Sequence, residues 1–516
     1  MRRSSPLYLL LILNRNHQSR YNGLRNEKSI KLTVSGSSLS DSLLTGHFLM
    51  KLEIRNLGVV EKAEIDLKPL TVFIGRNGEG KTWAAYTLSA ILGQQGYGNY
   101  LKAYFDGKTQ QTYPIIDSAL QQLFDEGNAQ IDMIEFANDC AEIYINDVAR
   151  LAPNWMRSFM ATERADFENL QVDFKLEETK LKLVEMIKSV SVQREISLGL
   201  LNSVKESGET ILYFYLGGGK GLKKLPKKAI KRFVIQEIFE MLHRAFYACI
   251  HIFPTERTTF ITLPFSSFRV KKIIDEEPLK ETDKSEFEGR KTSLVEPVKR
   301  FLDMIILSSL IKEDREKEIK ENPLLEKYVK LADFLEKEIL QGEVGFETIS
   351  ELRKELLFQP KESTKLEIPI VSSMVKELAP LVLCLRYLVT PNELLIIDEP
   401  EMNLHPAAQV EIAEFLAMLV NAGLHVLITT HSPYIVDHLA NLMQAAKHED
   451  PDSIKKMFYL ERTDAFISQE KVSVYLFEDG TAKNIISEEG TINWETFGQV
   501  SDDVSRIYAN LLNENS

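Results

Sequence analysis

The chain has 516 residues, enough for two or three domains, and its 44% hydrophobic and 27% charged residues are ordinary for a globular protein that folds without staples. A net charge of −13 excludes a surface coated in positive charge for sequence-independent nucleic-acid binding, so any DNA contact has to be regional. The cysteines Cys140, Cys249 and Cys384 are odd in number and too widely spaced for a zinc knuckle; they exclude a disulfide framework, fit a reducing, cytoplasmic setting and are expected to be structural thiols.

The start carries Arg2 and Arg3 before an apolar run over 7–13, which is too short to span a bilayer and is followed by no small-residue cleavage site. Residues 14–46 are rich in Ser, Asn and Arg and lack periodicity. Residues 1–49 are therefore expected to be a disordered tail or the product of an upstream start codon, not a membrane anchor, and no other segment reads as transmembrane. Met50 opens an alternating strand with Leu52 and Ile54, where the folded protein is expected to begin. An apolar strand over 70–74 then leads into Gly75-Arg76-Asn77-Gly78-Glu79-Gly80-Lys81-Thr82, followed by a helical stretch over 82–92. This matches G-x-x-x-x-G-K-[ST] in every defined position and in its strand-to-helix context. Gly75, Asn77, Gly78 and Gly80 let the backbone N–H groups face phosphate oxygens, Lys81 reaches the β- and γ-phosphates of ATP, and Thr82 offers a hydroxyl to Mg²⁺. A plain glycine turn does not require Lys-Thr at that spacing.

The character changes past residue 106. Residues 107–360 mix alternating segments, such as Leu170, Val172, Phe174 and Leu176, with charged helical stretches, such as 324–340 after Pro323, and read as an insertion between two α/β segments. Within it, Lys220, Lys223, Lys224, Lys227, Lys228, Lys231 and Arg232 form a basic run after Gly217-Gly218-Gly219, with a helix starting beyond Pro226. A solvated loop is the commoner explanation for such a run; a grip on a DNA backbone is the sharper one. Residues 271–291 are poor in apolar side chains and read as a mobile loop. Phe253-Pro254-Thr255-Glu256-Arg257 follows a strand-like Ile250–Ile252 and has no role that the sequence explains.

An apolar strand over 394–397 delivers Asp398 and Glu399 at its C-terminal end, where α/β sheets place ligands. Alone, an Asp-Glu pair is as often a solvated turn; beside a P-loop it reads as a Walker B pattern, with Asp398 holding Mg²⁺ and Glu399 polarising the attacking water as general base. A helix from near Pro406 to Gly423 and a strand over 424–430 lead to His431-Ser432-Pro433. His431 is placed to hydrogen-bond the γ-phosphate or the attacking water, the bland alternative being a capping histidine. About 85 residues follow, short for a fused nuclease domain, and Asp450-Pro451-Asp452 follows no apolar strand that would present it. Any DNA cleavage would then fall to a partner.

Four blocks together resemble a known family: Gly75 to Thr82, Ser372-Ser373-Met374-Val375-Lys376-Glu377-Leu378, Asp398 to Pro406, and Thr429-Thr430-His431-Ser432-Pro433. They are similar to the ABC/SMC-type ATPase heads, and within them to stand-alone AAA-type ATPases like the ATPase half of overcoming-lysogenization-defect nucleases. The resemblance implies an α/β P-loop NTPase head, discontinuous in sequence, with 50–106 as its first part, 107–360 as a large α+β and helical insertion, 361–480 as its second part, and 481–516 as a C-terminal tail or helix. Ser373 takes the place of the signature serine that touches the γ-phosphate held by the opposite protomer, and Asn403 to Pro406 that of the D-loop. Met374 stands where the family usually has Gly, and the Q-loop glutamine stays open among Gln94, Gln95, Gln110 and Gln111. The implied activity is Mg²⁺-dependent hydrolysis of ATP to ADP and phosphate, with Glu399, His431 and Lys81 catalytic and Thr82 and Asp398 on the metal. The implied assembly is a homodimer or higher oligomer whose head cycle drives a conformational switch, in a prokaryotic anti-phage or DNA-maintenance system with a separate effector such as a nuclease. Two alternatives share the motifs. The ATP-binding subunit of an ABC transporter has the long insertion and the poor signature against it, and Met374 keeps a non-hydrolysing ATP-dependent sensor or scaffold in play.

Overall fold

The computed structural model describes residues 50–176, 179–196, 200–217, 225–262, 294–350, 353–361, 363–492 and 506–507. The expectations for residues 1–49, for Lys220, Lys223 and Lys224 of the basic run, for the 271–291 loop and for most of the tail beyond 492 lie outside the described residues.

The chain opens with β1 (Met50–Leu57), β2 (Val60–Leu67) and β3 (Leu70–Gly75), then α1 (Lys81–Leu92) and α2 (Gln94–Phe105). It continues through β4 (Asn128–Asp132), α3 (Met133–Leu151), β5 (Gln171–Lys175), β6 (Val192–Ile196), β7 (Leu201–Lys205), β8 (Ile211–Leu216), α4 (Lys227–Phe246) and β9 (Ile250–Phe253). There follow α5 (Glu296–Leu310), α6 (Glu326–Phe334), β10 (Gly342–Ser350), β11 (Arg353–Pro360), β12 (Leu366–Glu367) and α7 (Ser373–Tyr387). The last elements are β13 (Leu394–Asp398), α8 (Pro406–Asn421), β14 (His425–Thr430), α9 (Pro433–Ala445), β15 (Val472–Glu478) and β16 (Thr481–Asn484).

Among the described residues one sheet holds nine strands in the order β5-β1-β2-β16-β15-β3-β14-β13-β9. From β15 to β9 every pairing is parallel, while β5-β1-β2 and β16-β15 are antiparallel. The parallel strands β3, β13 and β14 are buried at every position, as strands covered on both faces must be. In β1, by contrast, Met50, Leu52 and Ile54 are buried and alternate with more accessible polar residues, the period-2 signature of one covered face. Side-chain alternation divides the core in two. Phe73, Ile396, Leu427 and Phe477 point into a cluster with α1, α3 and α4, while Val72, Ile397, Ile428 and Val474 point into another with α5 to α9.

The 107–360 segment contributes to the sheet itself: β5 pairs with β1 at one edge and β9 pairs with β13 at the other. The rest of this segment is split by β9, residues before it packing on the first face and residues after it on the second. The alternating Leu170, Val172, Phe174 and Leu176 are all buried because their face covers the first core. A smaller antiparallel sheet, β4-β8-β7-β6, lies outside the main one. Phe239 of α4 anchors the first face, its ring 5.1–6.1 Å from those of Tyr100, Tyr104, Tyr113, Phe136 and Tyr144.

Candidate functional site

The C-terminal ends of β3, β13 and β14 lie side by side because their register aligns Ile74 with Thr430 and Asp398 with Thr429. The loop leaving β3 is shaped by glycines that no other residue can replace without movement. Gly75 has φ 139°, and a Cβ there would stand 2.3 Å from the Phe477 carbonyl oxygen; Gly80, with φ 90°, would place one 2.4 Å from Val60 Cγ2. Gly78 also has positive φ, with open space around it, and Asn77 beside it is exposed. Gly80 precedes the first turn of α1, so free N–H groups and the helix dipole face the loop. Lys81 is buried, and its Nζ donates to the carbonyls of Gly75 at 3.0 Å and Arg76 at 2.8 Å. Burial pushes its pKa down to about 8, against the pull of Glu399 and Asp398.

Asp398 closes β13 with 1% of its surface exposed. One carboxylate oxygen accepts from Thr82 Oγ1 at 2.9 Å and from the Thr429 hydroxyl, and the other from the Tyr86 hydroxyl at 3.4 Å. Burial raises its pKa and the hydroxyl donors oppose that rise. Thr82 and Asp398 thus present hard oxygen donors at the mouth of the loop, a donor set that suits Mg²⁺.

Glu399 departs from the strand with φ 49°, a strained conformation for a residue with a Cβ. Its N–H donates to the Thr429 carbonyl at 3.0 Å, and its carboxylate lies 3.3 Å from His431 Nε2. The His431 contact is the main reason its pKa stands below the ordinary 4.5. His431 is held in turn by its backbone N–H, which donates to the Glu401 carboxylate at 2.6 Å. Ser432 caps α9 through the Ile435 N–H and Pro433 occupies its first turn, so the histidine sits on a fixed strand-to-helix corner.

Beneath this edge lies Arg257, 2% exposed, from the segment whose role the sequence left open. Its guanidinium donates to the carbonyls of Asp398 at 2.6 Å, Glu399 at 2.7 Å and Pro254 at 3.0 Å, and its Nε stands 2.6 Å from the Glu377 carboxylate. The other Glu377 oxygen accepts from Asn403 Nδ2 at 2.9 Å. One buried arginine therefore joins the peptide between Asp398 and Glu399, the serine-led helix α7 and the loop at Asn403. Sequence reasoning missed it for want of a partner; the clue was a strand end followed by an arginine too valuable to bury unpaired.

Ser373 is exposed in the first turn of α7, which Ser372 caps through the Val375 N–H at 3.4 Å. Met374 is half-buried and packs against the second core, so its side chain is directed inward. Gln94 and Gln95 start α2, and Gln110 and Gln111 lie in the loop after it. In the basic run, Lys227 stands over the Phe124 ring and Arg232 over the Phe105 ring, each 5.1 Å from the centroid. Asp450 caps a short helix, Pro451–Ile454, and Asp452 pairs with Lys455 at 2.7 Å. Of the cysteines expected to be structural thiols, Cys249 lies beside His251 and Glu393, brought there by the pairing of β9 with β13.

Residues 48–436 match the family described as the AAA ATPase domain. A 67-residue stretch is 39% identical to the Old nuclease of Escherichia phage P2, covering 13% of this chain and 11% of that protein's length. Similar solved structures include an Smc head bound to the C-terminal winged-helix domain of ScpA, at 13% identity and a TM-score of 0.34 over 86% of this chain and 99% of the other. The Smc head of Pyrococcus furiosus with an extended coiled coil gives 11% and 0.35 over 89% and 100%. The Thermotoga maritima SMC head gives 11% and 0.29 over 85% and 99%.

Proposed function

We propose, on the premise that the chain belongs to the AAA ATPase domain family, that it is a Mg²⁺-dependent ATPase hydrolysing ATP to ADP and phosphate at the strand-end site. The observation that carries the reading is the meeting of three chain segments at the C-terminal ends of neighbouring strands: the P-loop lysine, the Thr82–Asp398 pair at 2.9 Å, and the Glu399–His431 pair at 3.3 Å. Lys81 exchanges its two carbonyl acceptors for β- and γ-phosphate oxygens, and the loop N–H groups take the rest of the phosphate charge. Thr82 and Asp398 hold Mg²⁺, which when bound neutralises charge on the phosphates. Glu399, kept ionised by His431, accepts the proton of the attacking water, and His431 fixes the orientation of that carboxylate.

The assembly in this reading is a homodimer or higher oligomer, with the exposed Ser373 supplied in trans to the partner's ATP. The head cycle moves residues 107–360 and through them a separate effector, for example a nuclease, in cytoplasmic anti-phage defence or DNA maintenance. The short likeness to the phage P2 Old nuclease favours this setting. The domain limits 50–106, 107–360 and 361–480 belong to the same proposal. No described helix is long and apolar enough to cross a membrane; obligate co-purification with a membrane permease would replace this reading with the transporter one.

The test is phosphate release with Mg-ATP from wild type, Lys81→Ala and Glu399→Gln, across protein concentrations and with DNA added. Turnover that rises with concentration and drops by about 10²-fold or more in both variants is expected. ATP binding without turnover in wild type under all these conditions would leave the sensor or scaffold in its place.

A further inference from the structure

The opposite end of the same sheet holds a group of side chains that the nucleotide chemistry does not use. The Cys249 sulfur, a ring nitrogen of His251 and a carboxylate oxygen of Glu393 all lie within 4.8 Å of one another. His251 Nε2 is 2.8 Å from Glu393 Oε2, and the other Glu393 oxygen accepts from Thr390 Oγ1 at 2.8 Å, which fixes the carboxylate. Backbone pairing creates this juxtaposition: Leu394 N–H donates to the Cys249 carbonyl at 3.0 Å, and β9 and β13 pair Leu395 with His251. Cys249 before β9, His251 within it and Glu393 before β13 are thereby brought together.

We propose that Cys249, His251 and Glu393 form a binding site for a borderline-soft divalent cation of the Zn²⁺ class. One sulfur, one imidazole and one carboxylate make up a three-ligand set that zinc accepts with a water in the fourth position, and that Mg²⁺, which prefers oxygen and water, does not. In a tetrahedral zinc site neighbouring ligand atoms stand about 3–4 Å apart, so the group has to close by about 1 Å around the ion. Binding displaces the proton shared by His251 and Glu393 and the thiol proton of Cys249, and the half-buried Cys249 provides the approach. Thr390 then serves as the outer partner that orients the carboxylate ligand. The bound ion staples β9 to β13, whose other ends lead to Arg257 and to Asp398 and Glu399. Five residues of extended strand separate Glu393 from Asp398, about 17 Å, so this site is distinct from the one for Mg-ATP.

The experiment is a titration of the full chain, stripped with chelator and dialysed under reducing conditions, first with Co²⁺ and then with Zn²⁺. One equivalent of Co²⁺ is expected to give a thiolate-to-cobalt charge-transfer band in the near ultraviolet and strong visible bands of a tetrahedral ion, both erased by Zn²⁺. Cys249→Ser, the partly exposed and least disruptive change, is expected to abolish the charge-transfer band, and Glu393→Gln to weaken Co²⁺ by about tenfold or more. Cys140→Ser and Lys81→Ala are expected to leave the spectrum as in wild type, the latter separating this site from the P-loop. A wild type with no saturable band, a band indifferent to Cys249→Ser, or one lost in Cys140→Ser would overturn the proposal and leave a hydrogen-bonded His–Glu pair beside a resting thiol.

Discussion

Lys81 is held in a place where its charge is expensive, and that cost makes ATP binding sensitive to alkali. With its pKa pushed down to about 8 by burial, the free protein loses the ammonium as pH rises through that value, whereas a bound triphosphate would restore it. The KM for ATP is therefore expected to be flat from pH 6.5 to 7.5 and to climb above pH 8, approaching tenfold per unit, with kcat much less affected. Steady-state kinetics in constant ionic strength checks this, and a KM still flat at pH 9 refutes it. Glu399 behaves in the opposite sense: the His431 contact depresses its pKa, so the carboxylate stays ionised until the pH falls below the ordinary range near 4.5. Arg257 is the residue with most to lose. Arg257→Ala leaves the Glu377 carboxylate, 2% exposed, without its counter-charge and removes the donor from two strand-end carbonyls. The expected cost is about 3–5 kcal/mol in urea unfolding. Arg257→Met combined with Glu377→Gln is expected to recover part of that stability while kcat stays low, because the peptide carrying Asp398 and Glu399 is no longer braced.

Elements that announced themselves by periodicity are present in the structure close to where the sequence put them. β3, β13 and β14 were legible because a strand covered on both faces has no polar position except at its end, and α8 and α9 because each opens on a proline after a capping side chain. Partnership between elements was not legible. Nothing in Gln171–Lys175 says that it pairs with β1, and nothing in Ile250–Phe253 says that it closes the far edge beside β13. Such pairings are set by which exposed edge a strand can cover, a property of the assembled sheet. The same holds for α4, whose Phe239 is fully buried among five aromatic rings, two from α2, two from α3 and Tyr113 from the loop between them. Phe239→Ala is expected to cost about 3–5 kcal/mol, read as a lowered urea midpoint with unchanged slope. It lies on the face served by α1, so an intact protein with that change tests whether loosening the first core reaches the nucleotide edge.

At the scale of the whole molecule, a sheet carries the proposed ATP site at the C-terminal ends of its parallel strands and the proposed metal site at the N-terminal ends of β9 and β13, with cores on both faces. The segment 107–360 is woven into this arrangement through β5 and β9, so a movement of the strand ends has a covalent route into both faces. The sequence by itself determined the P-loop, the acidic end of β13 and the histidine after β14, because each is a local pattern whose chemistry depends on neighbours within a few residues. It determined too where the folded chain starts to alternate, at Met50. Only the tertiary structure decided that Arg257 grips the carbonyls of Asp398 and Glu399, and that Cys249, His251 and Glu393 meet. Both results join residues more than a hundred positions apart, and the register of parallel strands brings them together without leaving any trace in spacing along the chain.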